Sequence, residues 1–425
     1  MPETPVFMRG FLGVLENVPS KIREVIEIIY ICDALMGSGK TMAAINLMNE
    51  NRDQRYAFVT QFLSEAKRIK TSCPEKKFAE PTQLGDGKLA HIRSLFEHGR
   101  NIASTHALFY RYDDDILASV KKWKYTLILD EVIDVIDFMD VTSDDINKML
   151  ETSTIAVDPE TKHVTWLHEG YVGTWSPFKT QIETSYVTCE DGRLFVWMLP
   201  VELFTAFENV IILTYMFKAQ LQYYYFLANR VDAKYWGVEK SAGQYRFVDD
   251  PSKVQKIVIP PIHIIDDEKL NEIGEKKTNL SSTWFTNQMN AAGKPQIERL
   301  KKNLYNVFAY WWHVKSGDIL WSTYNKAEKA LRGNGYTKSF LSFNARAMNE
   351  YRDRRYLAYA VNIFTSPDVS IYFNKRGFKI DDDAYALSTM LQWLWRSAIR
   401  DGNEIWLYLP SRRMRTLLLN WLEEQ

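Results

Sequence analysis

Residues 37–41 read Gly-Ser-Gly-Lys-Thr, and an acidic pair, Asp130-Glu131, follows ninety residues beyond Lys40. These residue types can do phosphate chemistry. Gly37 and Gly39, flanking Ser38, let backbone N–H groups converge on an anion at a helix start. Lys40 offers a cation to the β- and γ-phosphates of ATP, and Thr41 offers a hydroxyl to Mg²⁺. Asp130 suits the metal's shell, and Glu131 suits a base that polarises an attacking water. Near the far end, Gln392, Arg396 and Arg400 recur at i, i+4 and i+8, a spacing that shares one face if the segment is a helix. An arginine presented from such a face can stabilise charge on a transferring phosphoryl group.

Such side chains need elements to aim them. Val25–Cys32 is β-branched and apolar, as a buried parallel strand requires, and TMAAINLMNENR after the loop reads as a helix. Tyr125–Leu129 is a second short apolar strand, and it delivers Asp130 at its end. The interval between the two motifs has room for two further strand–helix units. The loop departs from G-x-x-x-x-G-K-[ST] at one position, where Ala34 replaces the first glycine.

The chain has 425 residues, 46% of them hydrophobic, which gives room for two or three domains. The apolar run Val210–Phe217 is too short to span a bilayer, and the start, MPETPVFMRGFLGVLE, has too brief an apolar stretch for a signal peptide. Three cysteines without paired spacing argue for a reducing compartment and against a structural zinc site. A cytoplasmic protein is expected, in the host cytoplasm if viral. The net charge is zero, but residues 301–425 carry 19 Lys+Arg against 12 Asp+Glu. A basic end fits local contact with a polyanion, and a solvated surface fits it equally.

Taken together, A-x-x-G-x-G-K-T followed by D-E resembles superfamily 2 helicases, the DEAD-like group, in the form found in phages and large DNA viruses. The resemblance spans roughly residues 25–425. FVTQFLSEAKRI is similar to that family's motif Ia, a strand ending at Thr60 before a helix whose start can hold a nucleic-acid phosphate. NIASTHALF is similar to motif Ib, which would contact the backbone through Ser104 and Thr105. NVIILTYMF is placed like motif III, with Thr214 linking hydrolysis to nucleic-acid binding. DILWSTYNKAEKAL is similar to motif IV, with Thr323, and SFNARAMNEYRDRRYLAYAVNIF to motif V, with Arg346 and Asn349. LQWLWRSAIRDGNEIWLYLPSRRMRTLL resembles motif VI, with Trp395 and Ile399 where Gly and Arg are usual, so Arg396 and Arg400 both stand as the finger.

The resemblance implies an α/β fold of two RecA-like P-loop domains with an ATP cleft between them. The first domain is placed at 1–235, with a β-rich insertion at 151–200, a linker at 236–284 and the second domain at 285–425. It implies an ATP-dependent helicase or translocase that uses Mg²⁺ and acts on nucleic acid. Single-stranded or forked DNA in phage or viral replication or recombination comes first, with partners from those processes and no membrane. Two alternatives stand beside it. A phage packaging motor would add a metal nuclease, which needs carboxylates at several separated strand ends after residue 285; only Asp318, Asp368 and the Asp381–Asp383 cluster suit that place, beside a Gln/Arg segment that a nuclease does not need. An ATP-switched nucleic-acid-binding protein would have little need of Glu131. The triplets Asp113–Asp115 and Asp381–Asp383 read first as solvated loops or helix starts. QYYYF and AYWWHV read first as core aromatics of helices, with stacking on unpaired bases the alternative.

Overall fold

Apolar, β-branched segments in this chain become strands buried on both faces, which is what parallel sheets covered by helices demand. The computed structural model describes residues 29–83, 87–254, 257–345 and 350–425. It divides into two units. One holds its described residues up to Asp33, then Lys40–Ser252 and Pro367–Lys379; the other holds Ala34–Gly39, Lys253–Ser366 and Ile380–Gln425.

In the first unit β1 (Ile29–Asp33), β2 (Tyr56–Thr60), β3 (Ile102–Thr105) and β4 (Thr126–Asp130) precede an excursion. The excursion carries β5 (Ile136–Phe138), β6 (Ile155–Val157), β7 (Val164–Trp166), β8 (Val187–Glu190) and β9 (Leu194–Met198). The chain then returns through β10 (Asn209–Thr214), β11 (Ala233–Ser241) and β12 (Gln244–Val248). Among the described residues the main sheet has the order β12-β11-β1-β10-β4-β2-β3, parallel except for the β11–β12 hairpin. Of the expected strand Val25–Cys32, residues 25–28 lie outside the described residues. Ala57–Val59 and Leu127–Leu129 are wholly buried, so the sheet is itself the core.

The register decides which residues meet. Asp33 on β1 stands opposite Thr214 on β10, Leu213 opposite Asp130 on β4, and Thr60 on β2 opposite Thr105 on β3. All five polar residues therefore close carboxyl ends of neighbouring parallel strands, the edge at which open α/β sheets bind ligands.

The excursion between β4 and β10, which begins at Ile136, ahead of the β-rich segment expected at 151–200, has its own core. β5-β9-β8 form an antiparallel sheet and β6-β7 a second ribbon, packed around Ile146, Met149, Val164, Val187 and Phe195. Residues 367–379, inside the expected second domain, group with this first unit. Tyr372 and Phe373 explain why: both are buried, Tyr372 edge-on to Phe138 and Phe373 against Tyr224. Arg376 adds a bond from Nη2 to Glu190 Oε1 at 2.9 Å. Residues 236–284, expected as a linker, contain most of β11 and all of β12, which extend the first sheet.

The second unit is built on β13 (Ile262–Ile264), β14 (Ile319–Ser322), β15 (Tyr356–Tyr359) and β16 (Ile405–Tyr408), all parallel in the order β13-β16-β15-β14. Helix α1 (Pro295–Asn306) buries Ile297, Leu300 and Leu304 against Trp321, Tyr336 and Tyr408. No helix among the described residues is long and apolar enough to cross a membrane.

Candidate nucleotide-binding site

Between β1 and the helix Lys40–Glu50 the backbone turns through Gly37 (φ 83°) and Gly39 (φ 96°), conformations that disfavour a side chain. The Ser38 N–H donates to the Leu35 carbonyl at 3.1 Å and tightens the turn. Lys40 opens the helix and is buried, so its ammonium is held where water is scarce. Burial pulls its pKa below the ordinary lysine value, opposed by the nearby Glu131, Cys32, Asp130 and Asp33. Beside it the Cys32 thiol is pushed up to about 12 by burial.

The Thr41 hydroxyl donates to Asp130 Oδ1 at 3.3 Å, across 89 residues of sequence. Burial raises the Asp130 carboxyl to about 7, with the charges of Glu131 and Glu65 adding, and Lys40 and the Thr41 bond opposing. Glu131 leaves the strand with φ 80°, and its N–H donates to the Leu213 carbonyl at 2.9 Å. The next turn is pinned as well: the Ile133 N–H donates to Gln222 Oε1 and the Asp134 N–H to the Tyr110 hydroxyl, both at 3.0 Å. A residue with positive φ at the exit of a buried strand, held by these bonds, is aimed by its surroundings.

Asp33 was not singled out from sequence, yet it organises this edge. Its carboxylate accepts the Met216 and Phe217 N–H groups at 2.7 and 2.9 Å, tying the end of β1 to the turn after Thr214. The available signal was an acid closing an apolar strand directly before a Gly-rich loop. Thr214 is wholly buried, and neither its hydroxyl nor that of Ser38 has a hydrogen bond to a described residue.

The fit to a magnesium nucleotide can be judged from these donors. Hard oxygen ligands from Thr41 and Asp130 lie 3.3 Å apart, and adjacent positions in an octahedral Mg²⁺ shell are about 3 Å apart. The glycine turn, the buried Lys40 and the unmatched Ser38 hydroxyl suit a phosphate. The residues fit the group.

Other expected site residues fall as follows. Thr60, Ser104 and Thr105 come together at the ends of β2 and β3, with Thr60 and Ser104 buried and Thr105 half-buried. The Thr323 hydroxyl follows β14, is buried and donates to the Ala360 carbonyl at 3.3 Å. Arg346 and Asn349 lie outside the described residues. The shared helical face for Gln392, Arg396 and Arg400 is corrected. The helix Asp382–Leu394 holds Gln392 but stops before Arg396, and Arg400 lies on a separate 3₁₀ turn, Ala398–Asp401. Burial of Trp395, Ala398 and Ile399 and the Ser397 hydroxyl bond to the Leu394 carbonyl (2.6 Å) end the helix there. Both acidic triplets start helices: Asp113 accepts the Ile116 N–H, and Asp381 accepts those of Asp383 and Ala384.

Residues 257–422 match the family described as the YonV C-terminal Rossmann-like domain. Over 416 residues the chain is 34% identical to the SPbeta prophage-derived protein YonV of Bacillus subtilis (strain 168), covering 94% of this chain and all of that one. Among solved structures it is similar to Xpd4 of S. tokodaii, at 12% identity and TM-score 0.47, covering 93% of this chain and 94% of that one. It is also similar to the DUF1998 helicase MrfA bound to DNA and AMPPNP, at 10% identity and TM-score 0.34, covering 95% of this chain and 49% of that one. Likenesses at these scores carry no argument about the site, which rests on its own geometry.

Proposed function

The chain belongs to the YonV family, and we propose that it is an ATP-dependent helicase or translocase acting on nucleic acid. The observation that carries this reading is the convergence of Thr41 and Asp130 beside the buried Lys40 at the end of a glycine turn. Thr41 and Asp130 would hold Mg²⁺, which neutralises charge on the transferring phosphate. The N–H groups around Gly37–Gly39 and the Lys40 ammonium bind and orient the triphosphate. Glu131 positions and polarises the attacking water. Thr214, between Asp33 and Asp130 in the sheet, is the proposed coupling residue. Thr60, Ser104 and Thr105 are the proposed contacts for nucleic-acid backbone on the first unit. Thr323, Arg346 and Asn349 are those of the second. Arg396 or Arg400 is the proposed arginine finger. A relative derived from a prophage supports a phage setting, and DNA is the proposed substrate.

The deciding measurement is steady-state ATP turnover with and without single-stranded DNA, with Lys40→Ala as control. Low basal turnover, raised several-fold by DNA and lost in Lys40→Ala, is expected. Turnover in a folded Lys40→Ala protein equal to that of the parent would remove the phosphate-loop assignment.

A further inference from the structure

A second feature of the sequence finds its use away from the phosphate loop. Helix α1 does not end cleanly: Val307–Trp311 forms a π-turn, with the Trp312 N–H donating to the Val307 carbonyl at 3.0 Å and His313 at φ 53°. The extra residue in the turn rotates the aromatic run. Phe308 and Trp312 pack inward, while Tyr310 and Trp311 face solvent at 65% and 53% exposure. Of the three large rings in AYWWHV, expected in the core, Tyr310 and Trp311 lie outside it and Trp312 packs against it. Single-turn π insertions of this kind are common at functional sites.

Tyr310, which precedes Trp311 in the chain, reaches a basic hollow through Tyr305. Tyr310 meets Tyr305 edge-on at 5.8 Å between ring centres, and Tyr305 lines a cavity of about 260 Å³ with Lys301 and Lys302. Lys301 also lines a larger neighbouring cavity of about 540 Å³, together with Arg332, Asn334 and Lys338. The loop that carries the last three is fixed from below. Tyr336 is buried, its hydroxyl donates to the Leu331 carbonyl at 2.7 Å, and its ring occupies the space where Gly333 would carry a Cβ. Among the residues that line the two cavities the one acid is Glu298, and Glu328 pairs with Arg332. Cations therefore predominate on a rigid frame. Ser316, on the wall of the larger cavity, precedes β14, so the hollow lies at the amino end of that strand, whereas Thr323 follows its carboxyl end.

We infer that this hollow and its exposed rings bind single-stranded nucleic acid, with Lys301, Lys302, Arg332 and Lys338 on the phosphates and Tyr310 and Trp311 stacked on bases. Cations alone would fit any polyanion. Two consecutive solvent-facing rings, the first in contact with Tyr305 of the lining, select a strand with unpaired bases, since every base offers a face to stack on. No residue that lines the two cavities belongs to the phosphate loop, and the proposed binding does not depend on ATP.

The test is binding of fluorescein-labelled dT20 to the full chain without nucleotide, followed by anisotropy across a salt series. Lys301→Glu/Lys338→Glu is expected to weaken binding about tenfold or more at low salt and to flatten the salt dependence. Tyr310→Ala/Trp311→Ala is expected to weaken dT20 about tenfold while leaving the salt slope and the competition by inorganic polyphosphate unchanged. Crosslinking of dT20 carrying 5-iododeoxyuridine should label the peptide that contains Tyr310 and Trp311. Lys40→Ala should bind dT20 as the parent does, so failure of the ATPase reading leaves this test intact. Parental dT20 affinity in both double variants, or loss in the charge variant alone with crosslinks confined to other peptides, would overturn the proposal.

Discussion

The Asp33 carboxylate accepts two successive N–H groups, those of Met216 and Phe217, at 2.7 and 2.9 Å. The strand that feeds the phosphate loop is thereby locked to the turn that follows Thr214. Burial raises the Asp33 pKa, and the Phe217 and Met216 bonds and the Lys40 charge oppose that rise. Asp33→Asn keeps one acceptor and turns an amide NH₂ toward the other N–H. Loss of a charged bond, partly offset by relief of desolvation, should cost about 1–2 kcal/mol of stability. A fall of a few degrees in melting temperature is expected, and an unchanged melting curve would deny Asp33 this role.

Glu131 combines a positive-φ backbone with the proposed role of base, and two substitutions separate them. Glu131→Gln keeps the size and φ 80° of the position but removes the base. ATP should bind as before while turnover falls by orders of magnitude. Glu131→Gly also loses turnover, but glycine adopts positive φ freely, so stability should hold or rise by up to about 1 kcal/mol. Isothermal calorimetry with a non-hydrolysable analogue, paired with thermal melts, reads both effects. Lost nucleotide affinity in Glu131→Gln with normal turnover of what still binds would reverse the roles given to Asp130 and Glu131.

Asp130 gives the metal-free protein a pH signature. Its carboxyl is raised to about 7 against an ordinary 3.8, so between those values the folded state holds a proton that the unfolded state has released. Stability from this group is complete below about pH 4 and is lost as pH rises through about 7. In EDTA, melts should therefore fall from pH 5 to pH 8, and Asp130→Asn should flatten the fall. Equal slopes in parent and Asp130→Asn would show that Asp130 ionises normally.

What the sequence disclosed was local and periodic. Lys40, Thr41 and Asp130 could be placed because a Gly-rich loop and two apolar strands announce themselves within a few residues. Asp33 escaped because its partners, Met216 and Phe217, lie 183 and 184 residues away and only the β1–β10 register unites them. Pro367–Lys375 reads as an ordinary helix, and nothing in its period says that Tyr372 and Phe373 pack against Phe138 and Tyr224. The spacing of Gln392, Arg396 and Arg400 implied one helix. Tertiary burial of Trp395 and Ile399 overrode that period, as side-chain packing commonly overrides propensity. Tyr310 and Trp311 were hidden in the same way, because a π-turn shifts the face on which a residue lies and leaves no mark in composition.

The two arginines bear on whether the second unit takes part in hydrolysis. Arg396 lies beyond the end of its helix and is half-buried, while Arg400 sits exposed on a short 3₁₀ turn closed by Gly402 at φ 82°. An arginine finger must reach a phosphate only in the reacting state, and an exposed side chain on a short turn can do so with little repacking. Arg400→Ala is therefore expected to take the larger loss, about 10³-fold in DNA-stimulated turnover, as removal of such a charge does elsewhere. Affinity for ATP should stay within about tenfold in both variants, because the finger acts on charge that develops during transfer. Arg400→Lys should not restore the rate, since an ammonium lacks the planar fork. Turnover measured at saturating single-stranded DNA, beside nucleotide affinity by fluorescence, distinguishes the outcomes. Full stimulation in both Arg396→Ala and Arg400→Ala would leave the second unit out of the chemistry and reduce the protein to a one-domain ATPase.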